Sequence, residues 1–290
     1  MSATRVLVVG ASGMLGHEAV RVLAPSLEVW GVCRRPAGLP DLGVPSDRIL
    51  GGLDLADPGF ADALLSRVRP TVVINAAGIV KQRAAGKNAA ESIEANSLWP
   101  HRLADACAIA GSRLVHVSTD CVFSGSRGAY VESDLPDATD LFGRSKLLGE
   151  VVDRDNAVTL RTSIIGWQLG TPTGLVGWFA AHRDEQLNGF RNAIFSGLTT
   201  RALTEVVRDV VLPDQSLAGL WHVSAAPIDK DTLLRNLARH LGWDVDITAV
   251  DEPRIDRSLD SSRFQARTGW RPASWDSMLG ALTAEWNEPG

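Results

Sequence analysis

The chain contains one tyrosine, Tyr130, and three cysteines in 290 residues. Cys33, Cys107 and Cys121 are odd in number and widely separated, form no Cys-x-x-Cys pair and have no His at ligand spacing beside them. A disulfide framework and a structural zinc are therefore not expected, and a reducing, cytoplasmic setting fits best. Positive charge is also short: 29 Lys plus Arg stand against 34 Asp plus Glu, a net charge of -5, with no basic block. Nucleic acid is thus not an expected partner. No apolar stretch reaches roughly 18 residues, which argues against a membrane span. The opening Met-Ser-Ala-Thr-Arg runs straight into a short apolar strand, without the regions of a cleavable leader.

What is present is 45% hydrophobic and 22% charged, an ordinary globular composition. Short β-branched runs at Arg5 to Val9, Glu28 to Cys33, Thr71 to Asn75, Leu114 to Ser118 and Val158 to Arg161 read as buried strands. Between them, Met14 to Leu23, Phe60 to Val68, Ala89 to Ala110 and Leu141 to Val152 carry apolar residues at helical spacing. Asp57 before Pro58 predicts an N-cap and first helical residue. Arg34 to Arg48 reads as a long surface loop. This alternation predicts an α/β fold: a Rossmann-like, doubly wound parallel sheet over 1–165, to which later segments partly return. After Gly166 a smaller C-terminal α/β lobe is expected, mainly 166–290, with helices near Thr204 to Leu212, Asp231 to His240 and Trp275 to Trp286. Trp221, Trp243, Trp270 and Trp286 are expected to pack that lobe. His17, His101, His116, His182, His222 and His240 do not cluster, and each reads as a surface or satisfied core residue.

Gly10-Ala-Ser12-Gly13-Met14-Leu15-Gly16 follows the first strand and opens the first helix. A diphosphate needs such a turn, with no side chain in its path and free N–H groups at a helix N-terminus; the alternative is a turn that only lets strand and helix pack closely. Asp54-Leu55 and Asn75-Ala76-Ala77-Gly78 would line adenine and ribose. At the end of the second strand Arg34-Arg35 replaces the acidic residue that selects NAD, and guanidinium groups suit a 2′-phosphate. NADPH is therefore the expected cofactor, with NADH possible; two solvated surface arginines are the alternative.

Val115-His-Val-Ser118-Thr119-Asp120-Cys121-Val122-Phe123, Asp140-Leu-Phe142-Gly-Arg-Ser-Lys146, Leu160-Arg161-Thr162-Ser163 and the closing Ser258-Leu-Asp-Ser-Ser-Arg-Phe together resemble the extended short-chain dehydrogenase/reductase superfamily. Within it the chain is most similar to the dTDP-4-dehydrorhamnose reductase family and related sugar-nucleotide 4-ketoreductases. The resemblance implies an NADPH-dependent reductase of a nucleotide-linked 4-keto-6-deoxyhexose, with the C-terminal lobe binding substrate and a homodimer as a possible assembly. It implies that Thr119 bonds the substrate carbonyl and that Lys146 binds the nicotinamide ribose. Asn96 would steady backbone or water, and Ser163 would approach the nicotinamide amide. In the Tyr-x-x-x-Lys pattern of these proteins, Phe142 stands at the tyrosine position. The ring is kept and the acid is lost. An engineered substitution, recruitment of water or the Cys121 thiol, and a protein that binds without turnover are the three explanations. The rival classes are a non-catalytic nucleotide-sugar-binding regulator and a sugar-nucleotide epimerase or dehydratase.

Substrate contacts are expected from Thr119, Asp120 and Cys121. Lys81, with Arg83, would face a sugar-nucleotide diphosphate or an acetamido sugar, unless that loop is merely solvated. Phe190 and Asn192, within Gly189 to Gly197, would cover the nucleotide, unless the aromatics belong to the lobe core.

Overall fold

The computed structural model describes residues 4–80, 84–170 and 174–285. Seven strands form one parallel sheet: β1 (Arg5–Val9), β2 (Glu28–Val32), β3 (Ile49–Leu50), β4 (Val72–Asn75), β5 (Arg113–Val117), β6 (Ala157–Arg161) and β7 (Gly219–His222). Their spatial order is β7-β6-β5-β4-β1-β2-β3, and every pairing is parallel. The order reverses between β1 and β4, and such a switch point opens a crevice beyond the carboxyl ends of the strands.

Both faces are covered, which is why β1 is apolar at consecutive positions. Val6 and Val8 belong to one core with Val115, Val158 and helix α1 (Met14–Leu23). Leu7 and Val9 belong to the other, with Leu64 and Leu65 of α2 (Phe60–Val68) and Trp99 and Leu103 of α3 (89–110). The remaining helices are α4 (Leu141–Leu148), α5 (Leu175–Ala181), α6 (Thr200–Val206), α7 (Lys230–Leu241), α8 (Ser262–Thr268) and α9 (Trp275–Ala284). α6 lies along α1, so a helix from the second half covers the first-half sheet. The second half adds a three-stranded sheet of Ile228–Asp229, Ala193–Phe195 and Ile255–Asp256, and pairs Leu187–Phe190 with Ile247–Val250. Among the described residues no helix is long and apolar enough to cross a membrane.

Several expected boundaries move. The helix predicted to run to Val152 stops at Leu148, because Gly149 passes so close to α3 that a Cβ there would lie 1.8 Å from the Asn96 carbonyl oxygen. α3 is interrupted by a π turn at Glu94–Leu98. Helix α2 begins at Phe60 with Gly59 at its cap, while Asp57 Oδ1 accepts from the Gly59 amide and Pro58 lies outside. The helix expected from Thr204 begins at Thr200, where the Thr199 hydroxyl caps Ala202, and passes into a π turn at Val207–Val211. The Arg34 to Arg48 loop ends in a short 3-10 turn, Ser46–Arg48. Trp221 belongs to β7 of the main sheet instead of the second lobe, and Trp286 lies outside the described residues.

β7 is an edge strand, yet its backbone is engaged. The His222 amide donates to Glu132 Oε1 at 2.9 Å, and the Leu220 carbonyl accepts from the Arg263 guanidinium at 2.9 Å.

Candidate functional site

The glycine turn lies at the β1/β4 switch point. Gly10 has φ +91°, and a Cβ on it would lie 2.9 Å from the Ala77 amide nitrogen and 3.0 Å from the Ala76 carbonyl carbon. A Cβ on Gly16 would meet the Gly10 carbonyl oxygen at 2.0 Å. Neither position admits a side chain. Gly13 caps α1 without a side-chain acceptor, and no acidic residue occupies the first turn. The leading amides of Met14, Leu15 and Gly16 thus begin a ten-residue helix in a form suited to an anion. Ser12 hydrogen-bonds the Cys33 thiol, which burial pushes up. Beyond β2, Arg34 and Arg35 are exposed and enter no ion pair among the described residues. Asp54 is exposed and turns back onto the Ala56 amide, and Leu55 packs on the second core. Ala76 and Ala77 are half-buried and Gly78 is exposed. Asn75 Oδ1 accepts from the Ala77 amide, fixing the start of that turn.

The residues beyond β5 and β6 gather beside it. Thr119 Oγ1 donates to Asp120 Oδ1 at 3.2 Å and accepts from the Cys121 amide at 3.1 Å. Ser163 and the Cys121 side chain also hydrogen-bond the Asp120 carboxyl, which burial holds above the usual carboxylate range, against the pull of Arg257 and of those bonds. On α4, Lys146 is 6% exposed and its Nζ donates to the Val117 carbonyl at 2.8 Å. Burial pulls its ammonium down to about 8, with Glu150 pulling the other way. Phe142, half-buried, lies one helical turn earlier. Between them a Cβ on Gly143 would lie 2.2 Å from the Cys121 carbonyl oxygen, so the start of α4 presses directly on the Thr119–Cys121 turn. Asn96 exchanges two hydrogen bonds with the Ile79 backbone, 2.8 and 2.9 Å, and its Nδ2 also donates to Ser145 Oγ. It thereby pins the loop after β4 to α4. Tyr130 does not replace Phe142: its ring stacks on Phe123 and its hydroxyl accepts from the Arg127 amide.

The Gly189–Gly197 segment meets this group at its end, where a Cβ on Gly197 would lie 2.5 Å from the Ser163 carbonyl oxygen and the Ile194 carbonyl accepts from the Arg257 amide at 3.0 Å. Phe190 pairs in register with Val250, and the Asn192 side-chain amide donates to the Asp251 carbonyl. Neither hydrogen-bonds Thr119, Asp120 or Cys121. Lys81 and Arg83 lie outside the described residues.

Residues 4–239 match the family model of the RmlD substrate binding domain. The chain belongs to that family. Along 308 aligned residues it is 23% identical to the dTDP-4-dehydrorhamnose reductase of Aggregatibacter actinomycetemcomitans, covering 97% of this chain and 98% of that one. It is 27% identical over 298 residues to the probable low-salt glycan biosynthesis reductase Agl14 of Haloferax volcanii, again covering 97% and 98%. Its fold superimposes on the dTDP-4-dehydrorhamnose reductase of Bacillus anthracis in complex with NADP, with TM-score 0.82, 19% identity and coverage of 98% and 99%.

This member of the RmlD family also holds features that the sequence did not disclose. Glu150 and Arg161 form a buried pair joined by two bonds, 2.7 and 2.6 Å, and Ser118 Oγ donates to Glu150 Oε1 at 2.7 Å. This network braces the strand end that precedes Thr119. Arg257, from the far end of the chain, donates its Nε–H to the Phe123 carbonyl at 2.9 Å and faces Asp120. His116 is not a satisfied core histidine. Asn75 Oδ1 is occupied by the Ala77 amide and Trp99 Nε1, so Asn75 Nδ2 donates to His116 Nδ1. The proton of the neutral ring therefore sits on Nε2, which is buried without a partner among the described residues. Burial and the nearby Lys146 keep that ring neutral.

Proposed function

We propose that the chain is an NADPH-dependent reductase of a nucleotide-linked 4-keto-6-deoxyhexose. One observation carries this reading: Thr119 and Lys146 are gathered beside an uncapped, acid-free helix N-terminus at the switch point of a doubly wound sheet. The residues fit the cofactor, because Gly13 at the cap of α1 brings neither a capping side chain nor an acidic first turn, which leaves the leading amides of that helix for a diphosphate. In this reading Gly10, Ser12, Gly13, Met14, Leu15 and Gly16 take the diphosphate, Asp54, Leu55, Ala76, Ala77 and Gly78 take the adenosine, and Arg34 and Arg35 take the 2′-phosphate. Lys146 and Ser163 hold the nicotinamide end, and Asn96 steadies the backbone behind it. The bound cofactor supplies a hydride there. Thr119 orients the ketone, and Asp120, Cys121, Phe190, Asn192 and Lys81 border the sugar nucleotide. The relatives named as dTDP-4-dehydrorhamnose reductases support the same substrate class. Residues 1–165 serve mainly the cofactor and 166–290 mainly the substrate. The three free cysteines suit a cytoplasmic location, and a homodimer is the assembly we favour.

Calorimetry with NADPH, followed by an NADPH-consumption assay over several 4-keto-6-deoxy sugar nucleotides, tests the reading. We expect association with the cofactor and net oxidation with one of the sugars; neither occurring sinks it. Phe142 favours one second reading, a protein that binds both ligands without turnover. Heat of binding for each, with no oxidation by the chain or by Phe142→Tyr, would establish that alternative.

A further inference from the structure

Reduction of a ketone requires an acid, because the oxygen becomes an alkoxide as the carbon receives hydride. α4 offers none at the position nearest the cofactor lysine, since Phe142 carries no ionisable group. The one tyrosine hydroxyl is engaged with Arg127, and Lys146 Nζ is directed at the Val117 carbonyl. One acid remains in direct contact with the residue that would bind the carbonyl. Asp120 is 4% exposed, lies in no ion pair within 4.0 Å among the described residues, and bonds through Oδ1 to Thr119 Oγ1 at 3.2 Å. The groups facing it are the hydroxyls of Thr119 and Ser163, the Cys121 thiol and, from the segment after Ile255–Asp256, the Arg257 guanidinium.

We infer that Asp120, acting through the Thr119 hydroxyl, supplies the proton that the reduced ketone oxygen receives. This rests on the reductase reading above and deepens it. The balance is simple. Hydride from the reduced dinucleotide brings two electrons and forms the C–H bond. For the transfer the Thr119 hydroxyl turns from Asp120 Oδ1 onto the ketone oxygen, and the protonated Asp120 carboxyl donates to Thr119 Oγ1 across the same 3.2 Å contact. The Thr119 O–H bond then breaks as its proton passes to the alkoxide, and Thr119 takes the proton of the Asp120 carboxyl. An alcohol and an Asp120 carboxylate result, and the carboxylate recovers its proton from water once product leaves. Asp120 is the positioning and proton-supplying residue, and Thr119 is the one that touches substrate. The contact of Gly143 with the Cys121 carbonyl keeps this turn against α4, so Phe142 closes the side where an acid would otherwise stand. The buried carboxyl retains its proton above the pH at which a free one ionises, because desolvation penalises the anion.

The test compares the unaltered chain, Asp120→Asn, Phe142→Tyr and the double variant. Asp120→Asn keeps a side-chain acceptor for Thr119 and removes only the acid. We expect its kcat to fall roughly 10²-fold or more with KM little changed, in the range of a lost general acid. Adding Phe142→Tyr should recover most of that loss, since a phenol then protonates the oxygen directly; a merely structural Asp120 would not be rescued. kcat of the unaltered chain should fall as pH rises through the Asp120 midpoint, and Phe142→Tyr should move that limb upward. Independently of cofactor and substrate, carbon NMR of the Asp120 carboxyl, assigned by its loss in Asp120→Asn, should show titration above the free value of about 3.9. Full turnover by Asp120→Asn, failure of the second substitution to rescue it, or a carboxyl titrating at or below the free value overturns the inference. So does an unaltered chain that is inactive while Phe142→Tyr turns over, an outcome that leaves the reductase reading standing. If neither turns over any keto sugar, the reductase reading itself falls, and this inference falls with it.

Discussion

Lys146 Nζ donates to the carbonyl oxygen of Val117 at 2.8 Å, two residues before Thr119. The bond ties α4 to the end of β5, so the two polar groups of the site are held on separate elements with a fixed relation. It also places an ammonium where water is scarce, and its folded-state pKa falls from 10.5 to about 8.

Lys146→Met should stabilise the fold at neutral pH. Between about 8 and 10.5 the unfolded chain binds the extra proton, so the native lysine makes stability rise with pH across that window. Below it the cost of charging the buried amine is fully present. Urea unfolding at pH 7 should show a gain of at most roughly 3 kcal/mol, from about 1.36 kcal/mol per unit of pKa. The gain should vanish toward the upper end of the window; a constant difference at every pH would contradict this.

Breaking the Glu150–Arg161 pair should be costly. Both side chains are 4% exposed, so Glu150→Ala leaves a buried guanidinium with no carboxylate, held by a 3.4 Å contact to His222 Nε2 and by the Phe123 ring 5.3 Å away. A loss of about 3–5 kcal/mol is expected for such a single truncation. Replacing both with leucine should cost less than either single change, as read by chemical denaturation.

Gly143→Ala should separate binding from turnover. The added methyl collides with the Cys121 carbonyl, and the start of α4 must retreat from the Thr119 turn. A displacement of about 1 Å near reacting groups costs roughly 10²-fold in rate. NADPH affinity, measured by fluorescence titration, should change little, because the glycine turn of α1 is untouched.

Arg34 and Arg35 should govern the choice of cofactor. Their removal to alanine should weaken NADPH by roughly 10- to 100-fold, the worth of charge-assisted hydrogen bonds to a phosphate. NADH binding should be unaltered, and equal losses for both cofactors would rule out a role at the 2′-phosphate.

The sheet was legible because its strands are buried on two faces and so read as continuous apolar runs, β1 among them. The Gly10 turn was legible because strand, glycines and helix are adjacent in sequence. What escaped depends on contacts between distant segments. Glu150 and Arg161 meet across 11 residues, Ser118 joins them across 32, and Arg257 reaches Phe123 across 134. The early end of α4 has the same origin: local periodicity runs on past Leu148, but the approach of Gly149 to the Asn96 carbonyl stops it. The unpaired Nε2 of His116 follows from amide orientations that only the folded neighbourhood sets.

The border of the sheet is sealed by side chains. With Glu132 and Arg263 occupying the His222 amide and the Leu220 carbonyl, the outermost strand has fewer vacant valences to lend to a stray extended segment. Self-association by edge-to-edge annealing is thereby discouraged, with α8 bringing Arg263 to the margin. Stripping both plugs should convert a discrete molecule into one prone to stack with its own kind at high concentration.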